Sequence, residues 1–74
     1  MTTLEIDQQI RHELGTDPGT IIIADRSYAW TYCCKIATRL HDQGMEWPDA
    51  NNEAANYMHY TFGVKTHGPM PPGA

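Results

Sequence analysis

Seventy-four residues, 41% of them apolar, carry five Lys/Arg against nine Asp/Glu, for a formal charge of −4 and a pI of about 5.3. A chain of this length withdraws only about 60% of its unfolded surface from water, which excludes a TIM barrel or a two-half dinucleotide-binding fold and leaves one small domain. The acidic balance argues against the basic excess with which nucleic-acid-binding domains meet phosphate.

The first segment has the pattern of a helix from Thr3 to Leu14. Thr2 is placed to cap it, with Glu5 three positions on to complete a capping box, and Gly15 supplies the stop. Glu5 and Asp7 stand at the positive end of the helix dipole. Ile6, Ile10 and Leu14 form the apolar stripe with Leu4 at its edge, while Gln9 and His12 point elsewhere.

From Thr16 to Ala24 two signals compete. Asp17 and Pro18 make a good helix start, whereas Ile21, Ile22 and Ile23 favour a strand. A strand needs a partner for its ladder, and the one other candidate, Tyr60 to Thr66, would give only a marginal two-stranded ribbon. Helix is therefore the reading, with an α+β fold containing a short strand at Thr20 to Ala24 as the alternative.

Asp25 to Gln43 reads as a long helix, with Ala29, Cys33, Ile36, Ala37 and Leu40 on one face, Ile22 extending that stripe backward, and Gly44 ending it. Glu46, Trp47, Pro48 and Asp49 make the turn into a last helix that runs to Phe62 before Gly63. Its inward stripe is Ala50, Ala54, Tyr57, Met58 and Thr61. Val64 is the one Leu, Ile or Val residue after Leu40, so this half of the core must come from aromatics, Met and Ala.

The expected fold class is all-α, a small three-helix bundle over residues 1–64 with a disordered Pro/Gly-rich tail over 65–74. The PxxP in that tail, Pro69 to Pro72, lacks a flanking Arg and is a weak SH3-ligand signal. There is no apolar run of membrane-spanning length and no signal-peptide pattern at Met1 to Glu5. Cys33 and Cys34 are adjacent, which is no disulfide framework, so the expected compartment is cytoplasmic.

Chemistry is sparse. The candidate metal ligands are His12, Cys33, Cys34, His41, His59 and His67, and no two have the spacing of a helical metal clamp. Cys34, His41 and His59 are the set that could meet across helices. Asp42, Glu46, Asp49 and Glu53 read as helix-end carboxylates without a nucleophile beside them. No phosphate-loop, dinucleotide, zinc-protease or nucleophile-elbow pattern occurs, so no catalytic residue, metal or cofactor is assigned and the chain is not expected to be an enzyme.

The feature that points to function is the outer face of the long helix, opposite the Cys33, Ile36 and Leu40 stripe, where Tyr28, Tyr32, Lys35 and Arg39 follow at i, i+4, i+7 and i+11, with Trp30 between the core and that flank. Tyr, Trp and Arg dominate the energetics of protein interfaces. Truncating Tyr32 or Arg39 is then expected to weaken binding and spare the fold. The competing reading is that the tyrosines cover the first helix or the Ile run. A second exposed group, Asn52, Asn56, His59 and Tyr60, reads as an ordinary solvated face.

The expected function is that of a small acidic protein-binding module, an inhibitor or adaptor that acts by occupying the surface of another protein or complex. Small inhibitors of host defence or transcription complexes encoded by phages and mobile elements share this general character, although no motif here carries a family resemblance. A homodimer is an open alternative for the partner, as is shielding of the Ile run by a second copy of the chain. The alternative function is a helix-turn-helix-like regulator that binds nucleic acid, against which stand Asp49 and Glu53 and the absence of Lys or Arg in the last helix.

Overall fold

A computed structural model describes residues 1–66, which form four helices, α1 (Thr3–Leu14), α2 (Gly19–Ala24), α3 (Arg26–Asp42) and α4 (Trp47–Phe62). The fold is all-α, and the isoleucine run is the short α2; among the described residues there is no strand. None of these helices is long and apolar enough to cross a membrane. The PxxP motif and His67 lie outside the described residues.

The helix ends follow local chemistry. Thr2 Oγ1 accepts from Glu5 N at 3.2 Å while Thr2 N donates to Glu5 Oε1 at 2.7 Å, the reciprocal capping box. That hydrogen bonding to Thr2 holds the Glu5 carboxylate below its usual range. Asp17 Oδ1 accepts from Gly19 N at 2.9 Å to start α2. Asp25 ends α2 and caps α3, accepting from Ser27 N at 2.9 Å and Tyr28 N at 3.2 Å. Gly63, with φ 70°, takes the left-handed conformation that ends α4 and turns the chain back on itself.

α3 and α4 make the most extensive contact, and four alanines sit fully buried in them, Ala29, Ala37, Ala50 and Ala54. Small side chains let two helix backbones approach closely. Ile6, Ile10, Ile22, Ile36, Leu40, Cys33 and Met58 fill the space around this pair. Ile22 is fully buried, whereas Ile21 and Ile23 on either side of it are exposed. One face of a six-residue helix is all that the neighbouring helices can cover.

The inner stripe of α1 differs from the expected one. It consists of Thr3, Ile6, Asp7 and Ile10, while Leu4 and Leu14 are exposed. Asp7 is 1% exposed. Its carboxylate accepts the hydroxyls of Tyr32 from α3 and Tyr57 from α4, and Arg11 Nε at 3.1 Å. Taking a carboxylate out of water costs several kcal/mol unless charge and hydrogen bonds compensate it, and this one has three donors from three helices.

Arg11 spreads the network. Its Nη1 reaches Asp17 Oδ1 at 3.2 Å and its guanidinium lies 5.3 Å from the centroid of the Phe62 ring. The hydrogen bond to Asp7 raises the Arg11 pKa above its usual value, so this cation is fixed. Phe62 in turn meets Tyr32 and Tyr57 edge to face, with centroids 6.2 and 6.4 Å away. Thr3 Oγ1 donates to Glu53 Oε2 at 2.9 Å, a second tie between α1 and α4.

Replacing Asp7 by Ala removes the carboxylate acceptor of two tyrosine hydroxyls and leaves Tyr32 only the backbone O of residue 7, at 3.4 Å. The expected cost is about 2 to 4 kcal/mol, read as a lower urea midpoint at unchanged slope. A second expectation concerns alkaline pH. Burial, and then the hydrogen bond to Asp7, pushes the Tyr57 hydroxyl from its ordinary 10 up to about 12, and Tyr32 is raised for the same reasons. The folded state thus keeps a proton that the unfolded state has lost. This contribution is complete below pH 10 and disappears as pH rises from 10 to about 12. Unfolding free energy should fall across that window, and Tyr57→Phe should show a shallower fall; parallel curves would contradict the assignment.

Candidate partner-binding surface

The two flanks of α3 have different fates. On the flank facing α1, Tyr32 is 2% exposed and bonded to Asp7. Tyr28 is half-buried and stacks on it, with centroids 6.5 Å apart. Arg39 pairs with Glu13 of α1 through both guanidinium ends, Nη1 to Oε2 at 3.0 Å. That pairing holds the Glu13 carboxylate below its usual range. Lys35 stays exposed.

The expected open ridge of Tyr28, Tyr32, Lys35 and Arg39 is therefore corrected. Tyr32 stands three residues after Ala29 and four before Ile36, which at helical spacing puts it beside the buried stripe rather than opposite it. Its hydroxyl answers a buried carboxylate, so truncating Tyr32 removes core volume and a hydrogen bond and does not spare the fold. Arg39 is committed to Glu13.

The other flank is open. Arg26, Ser27, Trp30 and Thr31 form one wall of a groove of about 540 Å³, and Val64, Lys65 and Thr66 form the other. Arg26 and Trp30 are one helical turn apart, so their side chains rise side by side, and Trp30 is 45% exposed.

The far wall is held from below. After the Gly63 turn Val64 packs against the core, and Thr66 Oγ1 donates to Cys33 Sγ at 3.3 Å. Lys65 and Thr66, expected in the tail, thus belong to the folded part. Thr31 Oγ1 is engaged by Ser27 O at 3.0 Å.

Charge is distributed unevenly here. Arg26 and Lys65 are exposed, and among the described residues neither enters an ion pair, in contrast to Arg11 and Arg39. The neighbouring Asp25 turns its carboxylate onto backbone N–H groups of α3. An indole and two cations without an ion pair among the described residues therefore border one depression on a chain of net charge −4.

The remaining reactive side chains are spoken for or apart. Burial pushes the Cys33 thiol from 9 up to about 11 and raises Cys34 as well, the reverse of what a nucleophilic cysteine needs. His41 Nδ1 lies 3.0 Å from Met45 O, and its ring stacks on Trp47 at 4.0 Å, a clasp across the turn between α3 and α4. Among the described residues no three His, Cys, Asp or Glu side chains are grouped to hold a metal ion, so Cys34, His41 and His59 do not converge. Asn52, Asn56, His59 and Tyr60 lie exposed on α4.

A second depression, lined by Met1, Ile6, Gln9, Arg39, Asp42 and Gln43, mixes both charges. Gln43 bridges it, its Nε2 donating to Met1 O at 2.8 Å.

The groove was half visible in the sequence. Trp30 was placed on a flank of α3, and Arg26 one turn earlier shares that flank. The other wall follows the glycine turn after α4, in residues whose composition resembles a tail and whose tertiary anchor, Thr66 on Cys33, has no local signature. Compared with family models, curated proteins and solved structures, the chain matches none.

Proposed function

We propose that this chain is a protein-binding module that acts by occupying a partner's surface, as an inhibitor or adaptor of a larger protein complex. The observation that carries the reading is the groove beside Trp30, whose lining brings an exposed indole together with two cations that enter no ion pair among the described residues. Indole and guanidinium groups supply most of the free energy at protein interfaces, the first by area buried at low entropic cost and the second by directed hydrogen bonds. A small helical scaffold with a fixed core holds such groups ready without the cost of ordering them on binding.

Lys35 and the half-buried Tyr28 form a second region of the proposed contact, on the α1 flank. The class of small acidic inhibitors carried by phages and mobile elements remains the expectation for its biological setting, with a host defence or transcription complex as the target. α4, the helix that a helix-turn-helix reading would place on DNA, carries Asp49 and Glu53 and no Lys or Arg, so a polyanion would be repelled there.

The test is capture of partners from lysate of the source cells by the tagged chain and by its Trp30→Ala variant, with and without nuclease. A side chain this exposed contributes little to stability, so the variant should melt within a few degrees of the parent. The expected result is a stoichiometric protein retained after nuclease and lost or strongly reduced with Trp30→Ala. Recovery of nucleic acid alone, or a partner held equally by the variant, would overturn the reading.

A further inference from the structure

We infer that the groove between α3 and the segment after α4 receives an acidic, extended peptide segment of the partner, seating one apolar side chain against Trp30 and Val64 while its carboxylates meet Arg26 and Lys65. This rests on the protein-binding reading above and names the chemistry of its target. The argument is one of complementarity. The two cations come from the two segments that line the groove, Arg26 from α3 and Lys65 from the returning chain, and the lining they share includes Trp30 and Val64.

A cavity of about 540 Å³ accommodates only a few residues, so the occupant is a short stretch rather than a folded face. Two of the groove's three hydroxyls are already engaged, Thr31 by Ser27 O and Thr66 by Cys33 Sγ, which leaves charge and apolar contact as the main means of recognition.

Charge also decides against a nucleic-acid occupant. Aromatic and cationic groups side by side can stack a base and hold a phosphate, but a polynucleotide carries its charge onward past the groove. Beyond these two cations the chain has nine carboxylates against only three Lys/Arg, and as a whole it carries a net charge of −4. A short acidic segment places its charge only where the cations are. Attraction of this kind speeds encounter and weakens with salt.

The test uses the unmodified 74-residue chain labelled with ¹⁵N, whose two tryptophans each give an indole N–H resonance, Trp30 as reporter and Trp47 as internal control. The probes are an end-blocked peptide of glutamates around a central leucine, the same peptide with glutamines in place of the glutamates, and an oligothymidylate. The glutamate peptide should shift the Trp30 indole saturably and leave Trp47 in place. The double variant Arg26→Glu with Lys65→Glu should weaken that binding by about tenfold or more, as should added salt.

If the glutamine peptide binds at Trp30 as tightly as the glutamate peptide, the acidic specificity is wrong and the protein-binding reading stands. Saturation by oligothymidylate with neither peptide bound, or a Trp30 resonance indifferent to all three probes, overturns both.

Discussion

One carboxylate, Asp7, is kept from water by the fold and obliges the rest of the structure to provide for it. An uncompensated buried charge costs more than a domain of this size has to spare, since native stabilities are only about 5 to 15 kcal/mol. The compensation comes from Tyr32, 25 residues away, and Tyr57, 50 away, with Arg11 one turn along the same helix. Apolar contacts alone would allow α1 to slide or rotate against α3 and α4 at small cost. Two hydroxyls meeting one carboxylate do not, so the polar cluster selects a register that the small core of Ile, Ala and Met would specify weakly.

The same cluster explains why the two flanks of α3 differ. Once Asp7 is docked on Tyr32, α1 lies along that flank and brings Glu13 to Arg39. Arg11 then ties α1 to Asp17 at the start of α2, and its contact with Phe62 draws in the end of α4. The chain after Gly63 comes back beside α3 on the other flank, where none of the described helices covers Trp30. The groove is what remains open after the carboxylate has been satisfied. Among the described residues its cations enter no ion pair, while Asp7, Glu13 and Asp17 pair with Arg11 and Arg39 and Asp25 accepts backbone N–H groups of α3.

Much of this was legible in the sequence wherever the signal is local. Thr2 with Glu5, Gly15 and the turn at Gly63 are read from neighbours within four residues, and the helix bounds there follow from them. The α3 stripe was legible through helical period, and the helix at Ile21 to Ile23 because the one candidate strand partner, Tyr60 to Thr66, would have given only a marginal ribbon. Asp7 was assigned to the helix dipole because a carboxylate near a helix N-terminus is ordinarily a solvated charge. Yet it shares a face with Ile10 and stands four residues before Arg11, and that placement was the available sign of burial. Tyr32 followed the same error. A tyrosine is equally at home at an interface and in a core, and only the buried acceptor decides between them. The groove was the least legible part, because one of its walls depends on Thr66 meeting Cys33, 33 residues away.

The central claim is that Asp7 and its tyrosines act as one unit, and a double-mutant cycle on Asp7→Ala and Tyr57→Phe measures it directly by urea unfolding. The account predicts that the two changes together cost less than the sum of each alone, with a coupling of about 1 kcal/mol or more, as for a hydrogen bond to a charged group. Strict additivity would mean that the hydroxyl and the carboxylate contribute independently, and the cluster could not then be what sets α1 against the other helices.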